Sequence, residues 1–261
     1  MCKPPEPAPP KKSHHAGWDG ADVLWLPGTL CDARVFAPMR VTLPTGVRHH
    51  DVDITSHDDV TALASAVLAT APPRFIAVGF SLGAIAALAL AAEAPERIAA
   101  LVLIAANARD VPPDVHGLRR ALALSPPGQL VGETLWPNSV APARLNDQIL
   151  RATIRAMAED APAGTLQRQT ELALTRPDRR PLLPHVTLPT LVIGGGDDRI
   201  APPELQAEIA AAIPGARLHV IAGAGHFVPL EDPAACSLAL ADWAGVTDPR
   251  PNNFEAHRIA R

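Results

Sequence analysis

The stretch FIAVGFSLGAIAALALAAEA, residues Phe75–Ala94, decides how the chain folds. It opens with an apolar run, Phe75 to Val78, of the kind that forms a strand buried on both faces. It breaks at Gly79-Phe80-Ser81-Leu82-Gly83 and resumes as the Ala- and Leu-rich segment 84–94, a strong helix former closed by Pro95. Strand, sharp turn and helix form the context in which G-x-S-x-G carries chemical meaning. A serine at such a turn sits at positive φ, and a side chain two residues before or after it would collide with neighbouring backbone. The turn lifts the Ser81 hydroxyl clear of the sheet. It also leaves the Leu82 N–H at a helix N-terminus, where a developing oxyanion would lie.

The same alternation continues on both sides. Val23–Leu26 is apolar and stops at Pro27-Gly28, as a buried strand entering a loop does. Arg48–Ile54 alternates weakly, and Asp58-Asp59 ahead of Val60, Leu63, Ala64, Val67 and Leu68 predicts a capped helix. Leu101–Ala106, Leu188–Gly196 and Arg217–Ile221 predict further strands, with helices over Pro203–Ile213 and Pro233–Ala244. Strands apolar on both faces, alternating with helices, predict an α/β fold with a mostly parallel sheet. Residues 107–186 break the rhythm with helical patches at Leu118–Leu124, Arg144–Glu159 and Leu166–Leu174 between proline-rich joints, and read as an insertion. The expected core is therefore 22–106 with 187–246, preceded by a disordered Pro-rich leader over 1–21 and followed by a flexible tail over 247–261.

Composition narrows the function. The chain has 261 residues, 48% of them hydrophobic, enough for a sizeable core without disulfides or structural metal. A net charge of −4 argues against nucleic acid as a partner. The longest apolar stretches are interrupted well short of the ~20 residues that cross a bilayer, so no membrane partner is expected. Three scattered cysteines, at 2, 31 and 236, form neither a disulfide framework nor a zinc pair and suit a reducing compartment. The leader has no apolar run behind its lysines and is not a signal peptide, so a cytoplasmic location is expected.

A serine hydroxyl needs a base, and His226 lies in a glycine-rich loop, AGAGHF, after the last predicted strand. For the acid that orients it, Asp197 and Asp198 compete. The spacing Gly195-x-x-Asp198-x-Ile200-x-Pro202 favours Asp198 at the loop apex and leaves Asp197 as the alternative. The loop after Leu26 should supply a second oxyanion donor, the Thr29 amide first and the Leu30 amide second.

Together LPGTLCD (26–32), GFSLG (79–83), LPTLVIGGGDDRIAPP (188–203) and GAGHFVPLEDP (223–233) resemble the α/β-hydrolase superfamily over about Val23–Ala244. The likeness is greatest to small bacterial esterase-like members, the group of pimeloyl-ACP methyl ester carboxylesterase and the enol-lactonases. It implies Ser81 as nucleophile, His226 as base, Asp198 as orienting acid, and the Thr29 and Leu82 amides as the oxyanion hole. It also implies a helical lid over 107–186 and substrate contacts from Leu30, Phe80 and Phe227. No cofactor or metal is implied. The implied substrate is a small ester, lactone or thioester, or an acyl group on a carrier, and oligomeric state is left open. Two departures matter. The family's His-Gly is Pro27-Gly28 here, which removes a side chain that often braces the loop, and the short N-terminal region leaves room for about six strands rather than eight. Serine at 81 argues against the branches that attack with aspartate or cysteine.

Other readings stand beside this one. The same fold and triad serve lyases, perhydrolases and C–C hydrolases, and a ligand-binding receptor can retain the triad with little turnover. Cys31 reads as a small buried hydrophobe, and His49, His50, Asp51, Asp53, His57 and Asp58 as a solvated sheet edge rather than a metal site. The insertion's ten Arg against eight acids is a bias too faint to assign a partner.

Overall fold

A computed structural model describes residues 18–244. Its centre is a sheet of β1 (Asp22–Leu26), β2 (Arg48–Asp51), β3 (Phe75–Phe80), β4 (Ile98–Ile104), β5 (Thr190–Gly195) and β6 (Arg217–Ile221). The spatial order is β2-β1-β3-β4-β5-β6, and each neighbouring pair is parallel. The expected α/β architecture and strand number are what form. Central β3 is buried at every position because helices cover both faces of the sheet. The edge strands, RHHD in β2 and RLHVI in β6, are largely exposed and carry charge, which blunts edge-to-edge pairing.

Seven helices of seven or more residues occur among the described residues: α1 (Val60–Thr70), α2 (Leu82–Glu93), α3 (His116–Leu122), α4 (Gln148–Asp160), α5 (Thr165–Thr175), α6 (Pro203–Ala212) and α7 (Pro233–Ala244). Asp59 caps α1 by accepting from the Thr61 and Ala62 amides, which satisfies two donors that have no intrahelical partner. Helix α2 buries ten of its twelve residues. Its alanines let the axis approach the sheet, while Leu88 and Leu90 are fully buried, each such side chain contributing about 1.5–3 kcal/mol by burial.

Several boundaries differ from the sequence reading, for reasons the pairing supplies. Strand β3 runs on to Phe80 because Gly79 and Phe80 still pair with Leu103 and Ile104, and β4 begins at Ile98 because that residue pairs with Phe75. Strand β2 stops at Asp51, opposite Trp25, where its neighbour β1 is one residue from its end. The patch expected to be helical from Arg144 becomes helix only at Gln148. Asp147 caps it by accepting from Leu150 N–H, and Pro142–Arg144 forms a separate short turn. Residues 18–21 of the expected leader are folded: Trp18 is buried in the core and its carbonyl accepts from Ala21 N–H. The rest of that leader, and the tail, lie outside the described residues.

Topology positions the site. The chain leaves β1 for β2 on one side and then returns to β3 on the other, so the loops after β1 and β3 diverge and open a crevice at the strands' carboxyl ends. Thr29 follows β1, Ser81 follows β3, Asp198 follows β5 and His226 follows β6, and residues 105–189 leave β4 at the same end.

Candidate active site

Ser81 sits at φ 52, ψ −111, between β3 and α2. Its N–H donates to Ile104 O, and its carbonyl accepts from the Ala84 and Ile85 amides, so the strained turn is held from both sides. The flanking glycines are sterically required. A Cβ on Gly83 would stand 1.9 Å from Leu26 O, and one on Gly79 would stand 2.3 Å from Gly83 O.

The fold brings the three distant side chains together. His226 Nε2 lies 2.9 Å from Ser81 Oγ, and His226 Nδ1 lies 2.8 Å from Asp198 Oδ2. The Asp198 carboxylate is fully buried, and its Oδ1 accepts from the Ile200 and Ala201 amides at 2.8 and 2.9 Å. Those two bonds fix the carboxylate, so Oδ2 faces the imidazole. With the Nδ1 proton donated to Asp198, Nε2 is left as the acceptor for the serine hydroxyl. Asp197 is exposed and ties the loop only through its backbone, its N–H donating to Ala224 O. Phe80 and Phe227 pack near the imidazole, with Phe80 5.4 Å from it between ring centroids, and keep one side of it apolar.

In the loop after β1, Cys31 N–H donates to Gly28 O and closes a tight turn whose third residue, Leu30, has φ 53. The Leu30 N–H is already occupied, since it donates to the buried Gln169 Oε1 at 2.8 Å. The Leu30 amide is therefore not free for the second-choice oxyanion role, and the Thr29 amide remains the candidate donor beside Leu82. The Leu82 amide stands in the first turn of α2 and has no intrahelical acceptor.

A cavity of about 310 Å³ opens onto these groups. Leu30, Phe80 and Phe227 line it, joined by Leu130, Val131 and Leu166 from the insertion. Cys31 also faces it, and burial pushes its thiol up to about 12, so it stays neutral and unreactive. At the β1–β2 edge Trp25 Nε1–H donates to His49, His50 and Arg48 share Asp22, and Arg40 pairs with Asp51. Among the described residues no group of three or more His, Cys, Asp or Glu is placed to hold a metal, and no helix is long and apolar enough to cross a membrane.

Two supporting residues escape a sequence reading. Glu231 Oε2 accepts from the Gly225 and Ala141 amides, linking the His226 loop to the insertion, and burial raises its carboxyl above the ordinary range. Its signal was present, a carboxylate five residues beyond His226 within the quoted GAGHFVPLEDP. Gln169 offered none, because its partners lie more than 100 residues away in sequence.

The comparisons agree with the fold. A family model described as alpha/beta hydrolase fold matches residues 44–233. A pimeloyl-[acyl-carrier protein] methyl ester esterase from Xanthomonas oryzae pv. oryzae is 33% identical over 237 residues, covering 79% of this chain and 88% of the relative. The enzyme of the same name from Xanthomonas campestris pv. campestris is 34% identical with the same coverage. Among solved structures, a thermophilic esterase from Thermogutta terrifontis superposes with a TM-score of 0.78 at 27% identity, covering 88% of this chain and 91% of that one. The enol-lactonase of Burkholderia xenovorans LB400 shares the fold, with a TM-score of 0.77 at 22% identity, over 89% of this chain and 94% of that one. The chain belongs to the α/β-hydrolase family.

Proposed function

We propose that this chain, an ester-cleaving hydrolase, works through an acyl-enzyme formed on Ser81. The reading is carried by one observation, the unbroken relay from Ser81 Oγ through His226 to Asp198 at 2.9 and 2.8 Å. Ser81 Oγ attacks the acyl carbon while its proton passes to His226 Nε2, and the Asp198 carboxylate stabilises the imidazolium. The charge that develops on the carbonyl oxygen is met by the Thr29 and Leu82 amides. The tetrahedral intermediate collapses by breaking the bond to the leaving oxygen or sulfur, which takes the proton from His226. Water then attacks the acyl-serine with His226 again as base, freeing the acid and restoring the hydroxyl.

Residues 107–186 act as the lid that closes the cavity and excludes water from the intermediate. An apolar cavity of about 310 Å³ suits an acyl chain of small to medium size, of an ester, lactone or thioester. Because the relatives are named for a methyl ester carried on acyl-carrier protein, a carrier-bound acyl methyl ester is the first physiological substrate to assay. The protein works in the cytoplasm, a reading supported by the free, buried thiols of Cys31 and Cys236.

Hydrolysis of p-nitrophenyl esters of graded acyl length tests this. The wild type should cleave them with a preference for chains the cavity holds, and Ser81→Ala should lower kcat at least ~10⁴-fold. A folded Ser81→Ala protein that is as active as wild type would refute it.

A further inference from the structure

The loop that carries Thr29 holds a backbone that leucine disfavours: in the turn closed by Cys31 N–H and Gly28 O, the third residue is Leu30 at φ 53. Turning the Thr29–Leu30 peptide over would relieve that strain and disturb the donor beside it. Two side chains oppose this, the Cys31 thiol weakly, by donating to Thr29 O at 3.3 Å, and Gln169 more strongly. Gln169, fully buried on α5, accepts the Leu30 N–H on Oε1 at 2.8 Å and donates from Nε2 to Ile54 O at 3.3 Å. The Ile54 bond sets the carboxamide's orientation, so its oxygen faces Leu30. Helix α5 is itself tied to the core, with Arg168 Nε donating to Thr55 O at 2.7 Å.

We propose that Gln169 is the positioning residue of the oxyanion loop, bracing it from the insertion. Resting on the acyl-enzyme reading above, this makes α5 a fixed part of the catalytic apparatus. A lid movement that carried α5 away would release the Leu30 peptide and disorganise the oxyanion hole, so opening must come from the other lid elements.

The test compares wild type with Gln169→Met, which keeps the shape and loses both hydrogen bonds, and Gln169→Glu, which keeps an acceptor for Leu30. Loss of one oxyanion donor typically costs about 10²–10³ in kcat, so a misplaced one should lower the kcat of Gln169→Met on p-nitrophenyl esters by ~10–100-fold. KM should stay within about threefold, since the bond acts on the transition state rather than on ground-state binding. Inhibition by a trifluoromethyl ketone, which forms the tetrahedral adduct, should weaken by a similar factor to kcat, and Gln169→Glu should recover part of the loss. A folded Gln169→Met protein with unchanged kcat, a loss confined to KM, or a Gln169→Glu variant no better than Met would overturn the proposal while the acyl-enzyme reading stands. An inert wild type would overturn both. Should Gln169→Met not fold, amide exchange on the wild type decides: a slowly exchanging Leu30 N–H supports the bond, and exchange at the rate of an open loop rejects it.

Discussion

Replacing Asp198 with asparagine isolates the orienting role of the acid from its structural one. Asp198 Oδ1 accepts two backbone N–H groups, from Ile200 and Ala201, at 2.8 and 2.9 Å. An asparagine would keep its carbonyl oxygen there and place its NH₂ where Oδ2 now meets His226 Nδ1. A donor facing Nδ1 selects the tautomer with the proton on Nε2, and that nitrogen can no longer accept from Ser81. The fold should survive, because the loop's own hydrogen bonds are retained, whereas Asp198→Ala orphans the buried Ala201 amide at a cost of about 1–3 kcal/mol. Activity should behave differently. A wrong tautomer in a triad of this kind lowers kcat about 10⁴-fold, which corresponds to ~5.4 kcal/mol of transition-state stabilisation. Steady-state hydrolysis of a p-nitrophenyl ester near neutral pH, paired with thermal melting, measures both. Asp198→Asn should melt close to wild type and above Asp198→Ala while being nearly inactive. A folded Asp198→Asn protein within tenfold of wild-type kcat would refute the assignment of Asp198 as the orienting acid.

Gly83→Ala should cost several degrees of melting temperature and most of the activity. Its Cβ would meet Leu26 O, backbone of β1 that cannot rotate away, and overpacking costs about 1–3 kcal/mol, or ~2–10 °C for a chain of this size; an unshifted melting curve would contradict the packing described. Glu231→Gln should change how stability depends on pH. Burial raises the native carboxyl above its unfolded value of 4.5, so as pH rises from 4.5 through the raised native value the unfolded chain ionises first and wild-type stability falls. The variant, which keeps an oxygen for the Gly225 and Ala141 amides, lacks that decline, so wild type should lose stability relative to it as pH rises. A difference constant from pH 4.5 to 8 would contradict this.

Much of the fold was legible because it rests on local signals. The apolar run at Phe75, the glycines at 79 and 83 and the alanine-rich helix behind them are consequences of one strand–turn–helix step, readable without knowing what packs around it. Strand ends were less legible, since β4 begins at Ile98 only because Phe75 lies opposite, and pairing across neighbours leaves no mark on periodicity. Of the candidate site, Ser81, Asp198 and His226 could be named because each directly follows a predicted strand, where a parallel sheet collects its loops. Asp198 could be favoured over Asp197 only by spacing, and burial separates them, with one carboxylate enclosed and the other in solvent. Gln169 was invisible. It lies mid-helix among polar residues, and what makes it matter is a loop 139 positions away that folds under α5. The leader's end was misjudged for a related reason: Trp18 is a lone aromatic in a polar, proline-rich stretch, and its burial depends on core side chains supplied from elsewhere in the chain.

The proposed chemistry requires the Ser81 hydroxyl to be an activated nucleophile. Treating the protein with a fluorophosphonate and locating the adduct by tandem mass spectrometry measures this. Stoichiometric modification is expected on the peptide bearing Ser81, abolished in Ser81→Ala and strongly slowed in His226→Ala. A folded wild-type protein that takes up no label, or takes it up on a different residue, would contradict it.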